Sequence, residues 1–146
     1  LDEYFPSVPM MPNAIKLRAK AREFSRSHDT RLEPAVRKLY PEVEFSTRNI
    51  ESVELTGFEI SKQLAALALL LSKNPLDTDK LWICDCGFAV TFAWIKAFEN
   101  SLGLIVDWPD EVKQYDLRLL GFKVVSDELS AYLPAMNKYL EKALPV

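Results

Sequence analysis

The two cysteines of the chain bracket one aspartate, Cys84-Asp85-Cys86, inside the stretch KLWICDCGFAVTFAWIKAF, which is otherwise almost wholly apolar. Two thiols and a carboxylate raise the question of a metal site or a redox pair. Residues two apart on a helix point about 200° away from each other. The thiols therefore cannot share a tetrahedral zinc or close an unstrained disulfide, and the single histidine of the chain supplies no partner cluster. No metal is expected, and Cys84 and Cys86 read as small, soft fillers of a buried helix. Asp85 carries more information. A carboxylate in the first turn of an apolar helix meets unpaired N–H groups and the positive end of the helix dipole, which predicts a buried structural cap. The competing role, a general base, lacks a second carboxylate or histidine nearby in sequence.

His28 lies on an apolar stripe, where it is either a satisfied core or pocket-edge histidine or a catalytic one. The run KLRAKAREFSR, residues 16–26, reads as a solvated helix face from which Arg22, or Asp29 just beyond it, could reach a ligand or a partner subunit. Trp82, Trp94 and Trp108 read as packing residues. The sequence has no glycine-rich phosphate loop, nucleophile elbow or paired-histidine zinc motif, and its four glycines leave little material for one.

The elements that must position these groups are helical. Over 13–40, Leu17, Ala21, Phe24, His28, Leu32, Val36 and Leu39 recur in steps of three and four, one face of a helix. Pro34 lacks an N–H and crowds the carbonyl four residues earlier, so a kink is expected near 30–33. Beside the apolar stripe runs a polar one, Arg18, Arg22, Ser25, Asp29 and Glu33. Thr47 and Asn49 announce a second helix with Ile50, Val53, Gly57, Ile60, Leu64, Leu67 and Leu71 on one face, and Gly57, Ala65, Ala66 and Ala68 would let another helix come close. Pro75 ends it. The third helix, roughly 83–100 with Gly103 as its stop, has only Asp85 and Thr91 as polar residues from Ile83 to Ile95. A helix apolar around its whole circumference must be surrounded by others. Pro109 suits the first turn of a fourth helix ending before Gly121, and Ser126, Asp127 and Glu128 open a fifth that carries Leu129, Leu133, Met136, Leu140 and Leu144 inward. No β-alternation appears. The fold class expected is all-α, a five-helix bundle around a nearly all-apolar central helix.

Composition narrows the partners. The 146 residues, 49% hydrophobic and 27% charged, can bury one core, so one globular domain is expected. A net charge of -3 gives no electrostatic footprint for nucleic acid or an anionic membrane. No apolar run reaches the roughly 18 residues of a membrane span. Two cysteines only two residues apart, without a signal-peptide pattern, make a reducing cytoplasmic setting the default. The chain starts at Leu1 rather than Met, which suggests a fragment or processed form of something longer.

In order, these pieces resemble the helical C-terminal domain of the soluble glutathione S-transferase family. LDEYFPSVPMMP is similar to the end of that family's thioredoxin-like domain and its linker. RAKAREFSRSHDTRLEPAVRKLYP resembles the first long helix of the helical domain. WICDCGFAVTFAWIKAFENSLGL resembles its buried central helix, whose pattern is Ser or Thr, two residues, then Asp. Asp85 matches the capping-box aspartate. Trp82 stands where the family has a hydroxyl, and losing such a cap costs about 1 kcal/mol; Asp79 or an altered helix start would have to compensate. The RP expected before the last helix is also absent, replaced by GFKVV.

The resemblance implies residues 1–12 as the end of a missing thioredoxin-like domain and its linker, and 13–146 as the helical domain. It implies a parent that transfers glutathione, as co-substrate, to a small hydrophobic electrophile, and a homodimer. Every residue that activates the thiol would lie upstream of Leu1, so the chain alone is expected to hold no catalytic residue, to be inactive and not to bind glutathione. Its own share would be the wall of the electrophile pocket, for which Phe24, Ser25, His28 and Asp29 are the candidates, and part of the dimer surface. The alternative implied by other relatives is a non-catalytic protein-interaction module.

Overall fold

The computed structural model describes Tyr4 and residues 7–145. Of the proposed linker 1–12, residues 1–3, 5 and 6 lie outside the described residues. Helix α1 (Ile15–Ser27) runs through a π-turn (His28–Leu32) into α2 (Glu33–Arg37). Two short 3-10 turns lead to α3 (Ile50–Leu71), and a third (Ile83–Asp85) opens α4 (Cys86–Leu102). Helices α5 (Asp110–Gly121) and α6 (Lys123–Leu140) complete the chain. With α1 and α2 as one rod the protein is a five-helix, all-α fold, and no strand occurs among the described residues.

Helix α4 is the central post. Phe88, Phe92, Ile95 and Phe98 are fully enclosed on it, against Phe24 and Leu32 of the first rod, Ile60, Leu64 and Leu67 of α3, and Val112 and Leu119 of α5. Each such side chain contributes about 2 kcal/mol of apolar burial. The stripe read over 13–40 is the buried one: Ala21, Phe24, His28, Leu32, Val36 and Leu39 all face inward.

The expected kink near 30–33 takes the form of a widened turn. The Glu33 N–H donates to the His28 carbonyl five residues back, and inserting a residue in this way carries the chain past Pro34, which cannot donate at all. Asn49 caps α3 through its side chain, which accepts from the Ser52 N–H at 3.1 Å. Ile50, expected inward, is exposed. Gly57 admits not another helix but the loop after α4: a Cβ there would stand 2.6 Å from the Ile105 carbonyl oxygen. Gly103 ends α4 with φ 71°, left-handed as a stop requires.

Helix α6 begins three residues before the expected start at Ser126. Helix α5 and α6 are joined by Phe122 alone, whose extended backbone makes it the cap; its carbonyl accepts from Val125 and Ser126. Ser126 therefore lies inside the helix. Met136 and Leu140 are buried as expected, whereas Leu133 and Leu144 are exposed, because only the C-terminal half of α6 packs deeply into the bundle. Among the described residues no helix is long and apolar enough to cross a membrane.

Candidate functional site

The N-terminal end of α4 is where the polar groups of the interior converge. The Trp82 N–H donates to Asp85 Oδ2 at 2.8 Å, so the carboxylate reaches back to cap the turn it opens. The partner bond of a full capping box would need a side-chain oxygen on residue 82. Here the Asp85 N–H donates instead to the backbone carbonyl of Trp82 at 2.9 Å. The 3-10 turn Ile83–Asp85 thus replaces the missing hydroxyl, and Asp79, whose own N–H goes to Asp77, has no part in it.

Helix α5 supplies the rest. The Tyr115 hydroxyl donates to Asp85 Oδ1 at 2.6 Å and Arg118 to Oδ2 at 3.0 Å. Asp85 and Tyr115 are both buried. Burial first, then the Asp85 charge and its hydrogen bond, push the Tyr115 phenol well above its ordinary range, so it stays a donor. Arg118 lies over the rings of Tyr115 and Phe122, and its Nε has no hydrogen-bond partner among the described residues. Asp85 thus accepts three hydrogen bonds, one from the turn it caps and two that tie the head of α4 to α5.

The cysteines split. Cys84 is buried, while Cys86 is exposed, a correction to the expectation that both fill the core. Cys86 begins α4 on the side turned from the bundle centre. Burial, followed by the Asp85 charge, pushes the Cys84 thiol up to about 12 and raises Cys86 as well. Neither is a ready thiolate nucleophile at neutral pH.

One and a half turns further along α4, the π-turn docks. His28 Nδ1 lies 2.7 Å from Asp29 Oδ1 and Nε2 lies 2.8 Å from Thr91 Oγ1. A carboxylate only accepts, so Nδ1 carries the proton and Nε2 receives the Thr91 hydroxyl. Carboxylate, imidazole and hydroxyl in that order is the arrangement that activates a hydroxyl nucleophile. Thr91, however, is buried, at 5% exposed. The chain of bonds fixes the π-turn on α4. The imidazole also stands edge-on to Phe88 and over Gly87, where a Cβ would come within 2.5 Å of it.

Of the four residues expected to wall an electrophile pocket, Phe24 (2% exposed) and His28 (8%) are enclosed by this chain's own side chains. Ser25 is half-buried and Asp29 exposed, on the polar stripe with exposed Arg22. The structure brings His28 and Asp29 together and places Phe24 in the core. Clefts of about 920, 590 and 490 Å³ are lined by other residues. Tyr115, Arg118, Thr91 and Gly87 escaped the sequence reading, because the partners of Asp85 and His28 lie on other elements. Among the described residues, no group of three His, Cys, Asp or Glu side chains could hold a metal ion.

No protein-family model matches the chain, and no curated protein or solved structure is significantly similar to it.

Proposed function

We propose that the chain is the helical half of a glutathione-transferase-like protein, a homodimer whose thioredoxin-like half holds and activates glutathione for attack on a small hydrophobic electrophile. The observation that carries the proposal is the start of α4. A buried aspartate caps the turn that opens the central helix, most of whose apolar residues are enclosed, at the position where the sequence resembles that family. The chemistry available within the chain agrees with a supporting role, since burial pushes both thiols up and Asp85 accepts from Trp82, Tyr115 and Arg118. In this proposal Ser25 and Asp29, on the exposed stripe of α1 and its π-turn, face the substrate side and orient the electrophile by hydrogen bonding, while Phe24 and His28 stiffen the wall from behind.

Calorimetric titration of the chain with glutathione, beside the same titration and an aromatic-halide conjugation assay on the parent gene product, tests the proposal. The chain is expected to show no micromolar binding, and the parent to bind and conjugate. Micromolar binding by the chain itself would overturn it. A parent that folds as a dimer but neither binds nor conjugates would favour the non-catalytic interaction module instead.

A further inference from the structure

A second cavity, distinct from the stripe of Ser25 and Asp29, lies between the first turns of α4 and the outer half of α6. Its volume is about 490 Å³, within the range of sites that enclose small organic molecules. Leu81, Ala89, Val90, Val125 and Leu129 line it, with Met10 of the N-terminal segment at one edge. That segment is tied in place there, as the Ile83 N–H donates to the Met10 carbonyl at 2.9 Å.

Few polar groups enter this apolar space, and each has a defined capacity. The Tyr132 oxygen accepts from Trp94 Nε1 at 3.0 Å, which holds the ring at the cavity wall. Cys86 also lines it, its thiol 3.9 Å from the Trp82 carbonyl oxygen. Asp85 borders the cavity, but its charge is met by Arg118. Glu128, one helical turn from both Val124 and Tyr132, also lines it and has no ion-pair partner among the described residues. The nearby cation Lys123 is committed to Asp127 at 2.6 Å. The one lining charge without an ion-pair partner among the described residues is therefore the Glu128 carboxylate, beside a mostly apolar wall.

We infer that this cavity binds a small amine with an aromatic or aliphatic body, its hydrocarbon part between α4 and α6 and its ammonium group against Glu128 beside the Tyr132 ring. Apolar burial supplies affinity, and the carboxylate selects against anions. The inference concerns this chain alone and does not depend on the glutathione proposal.

The thiol of Cys86 offers the readout. Cys84 is buried, so N-ethylmaleimide alkylation followed by intact mass reports on Cys86, with Cys86→Ser as the blank. Three probes of one shape and different charge are compared: 1-naphthylmethylamine, 1-naphthalenemethanol and 1-naphthoate. The amine is expected to slow alkylation, reaching half-protection at a concentration about fivefold below that of the alcohol, the size of a partly exposed ion pair; the acid should give no protection. Glu128→Gln, at an exposed position, should erase the difference between amine and alcohol while leaving the alcohol's protection in place. Val124→Trp, also exposed, should fill the mouth and abolish protection by both. Equal protection by the acid, or no protection by any probe at millimolar concentration, would overturn the inference.

Discussion

Two buried polar clusters hold the N-terminal half of α4, and they are built on different terms. At Asp85 a single carboxylate receives three donors, from Trp82, Tyr115 and Arg118, and every member is at least mostly enclosed. At His28 an imidazole ring bridges a buried hydroxyl to a carboxylate that is largely in water. Removing the Asp85 carboxylate leaves a cation, a phenol and a backbone N–H stranded together. Removing Asp29 takes away a carboxylate that is itself largely in water and leaves one ring nitrogen without that partner. Both are polar, but only the first is a point where the fold depends on one charge.

The largest effect follows from that asymmetry. Asp85→Ala should cost about 3 kcal/mol and lower Tm by about 10 °C in a thermal scan. Next comes pH. Tyr115 and Cys84 both have folded-state pKa values raised above the unfolded ones, so the stability they confer is complete below the unfolded values and lost as pH climbs toward the folded ones. For Cys84 that window runs from 9.0 to about 12. Urea midpoints should be flat near neutrality and fall steadily across it; midpoints that rise there would contradict the burial of both groups. Gly87→Ala should cost about 2 kcal/mol, because the new Cβ meets an imidazole that two hydrogen bonds hold in place. Thr91→Val keeps the shape and strands His28 Nε2, for a loss of about 1 kcal/mol. The smallest effect belongs to Asp29→Asn, within about 0.5 kcal/mol, since an amide oxygen still accepts and the site is exposed. A loss at Asp29 as large as at Thr91 would show that the two clusters are less different than their burial implies.

The same contrast explains what could be read in advance. The Asp85 cap joins residues three apart, so helix chemistry alone exposes it, and the 3.6-residue period of Leu17 through Leu39 exposes the buried face that carries His28. Tyr115, Arg118 and Thr91 are 30, 33 and 63 residues from their partners, a distance over which no local pattern acts. Pro34 signals that the first rod is disturbed, but no local pattern says that the disturbance is a π-turn, with His28 packed on Gly87. Ser126 followed by Asp127 and Glu128 has the chemistry of a helix start, yet the one-residue connection at Phe122 begins α6 earlier. The cavity at Cys86 was hidden for a related reason: an apolar run says that a helix is surrounded without saying where the enclosure is incomplete. The family-level reading rests on the resemblance and on the cap of α4; of the residues named for a pocket wall, Ser25 and Asp29 reach the surface while Phe24 and His28 turn inward.

The most direct test sets the two clusters against each other in one experiment: equilibrium urea unfolding of Asp85→Ala and Thr91→Val beside the parent chain, followed by circular dichroism. The account predicts that Asp85→Ala loses at least twice the unfolding free energy lost by Thr91→Val, with the same denaturant slope for Thr91→Val and the parent. Equal losses, or an Asp85→Ala variant as stable as the parent, would contradict the claim that the buried carboxylate at the head of α4 is what the bundle is built around.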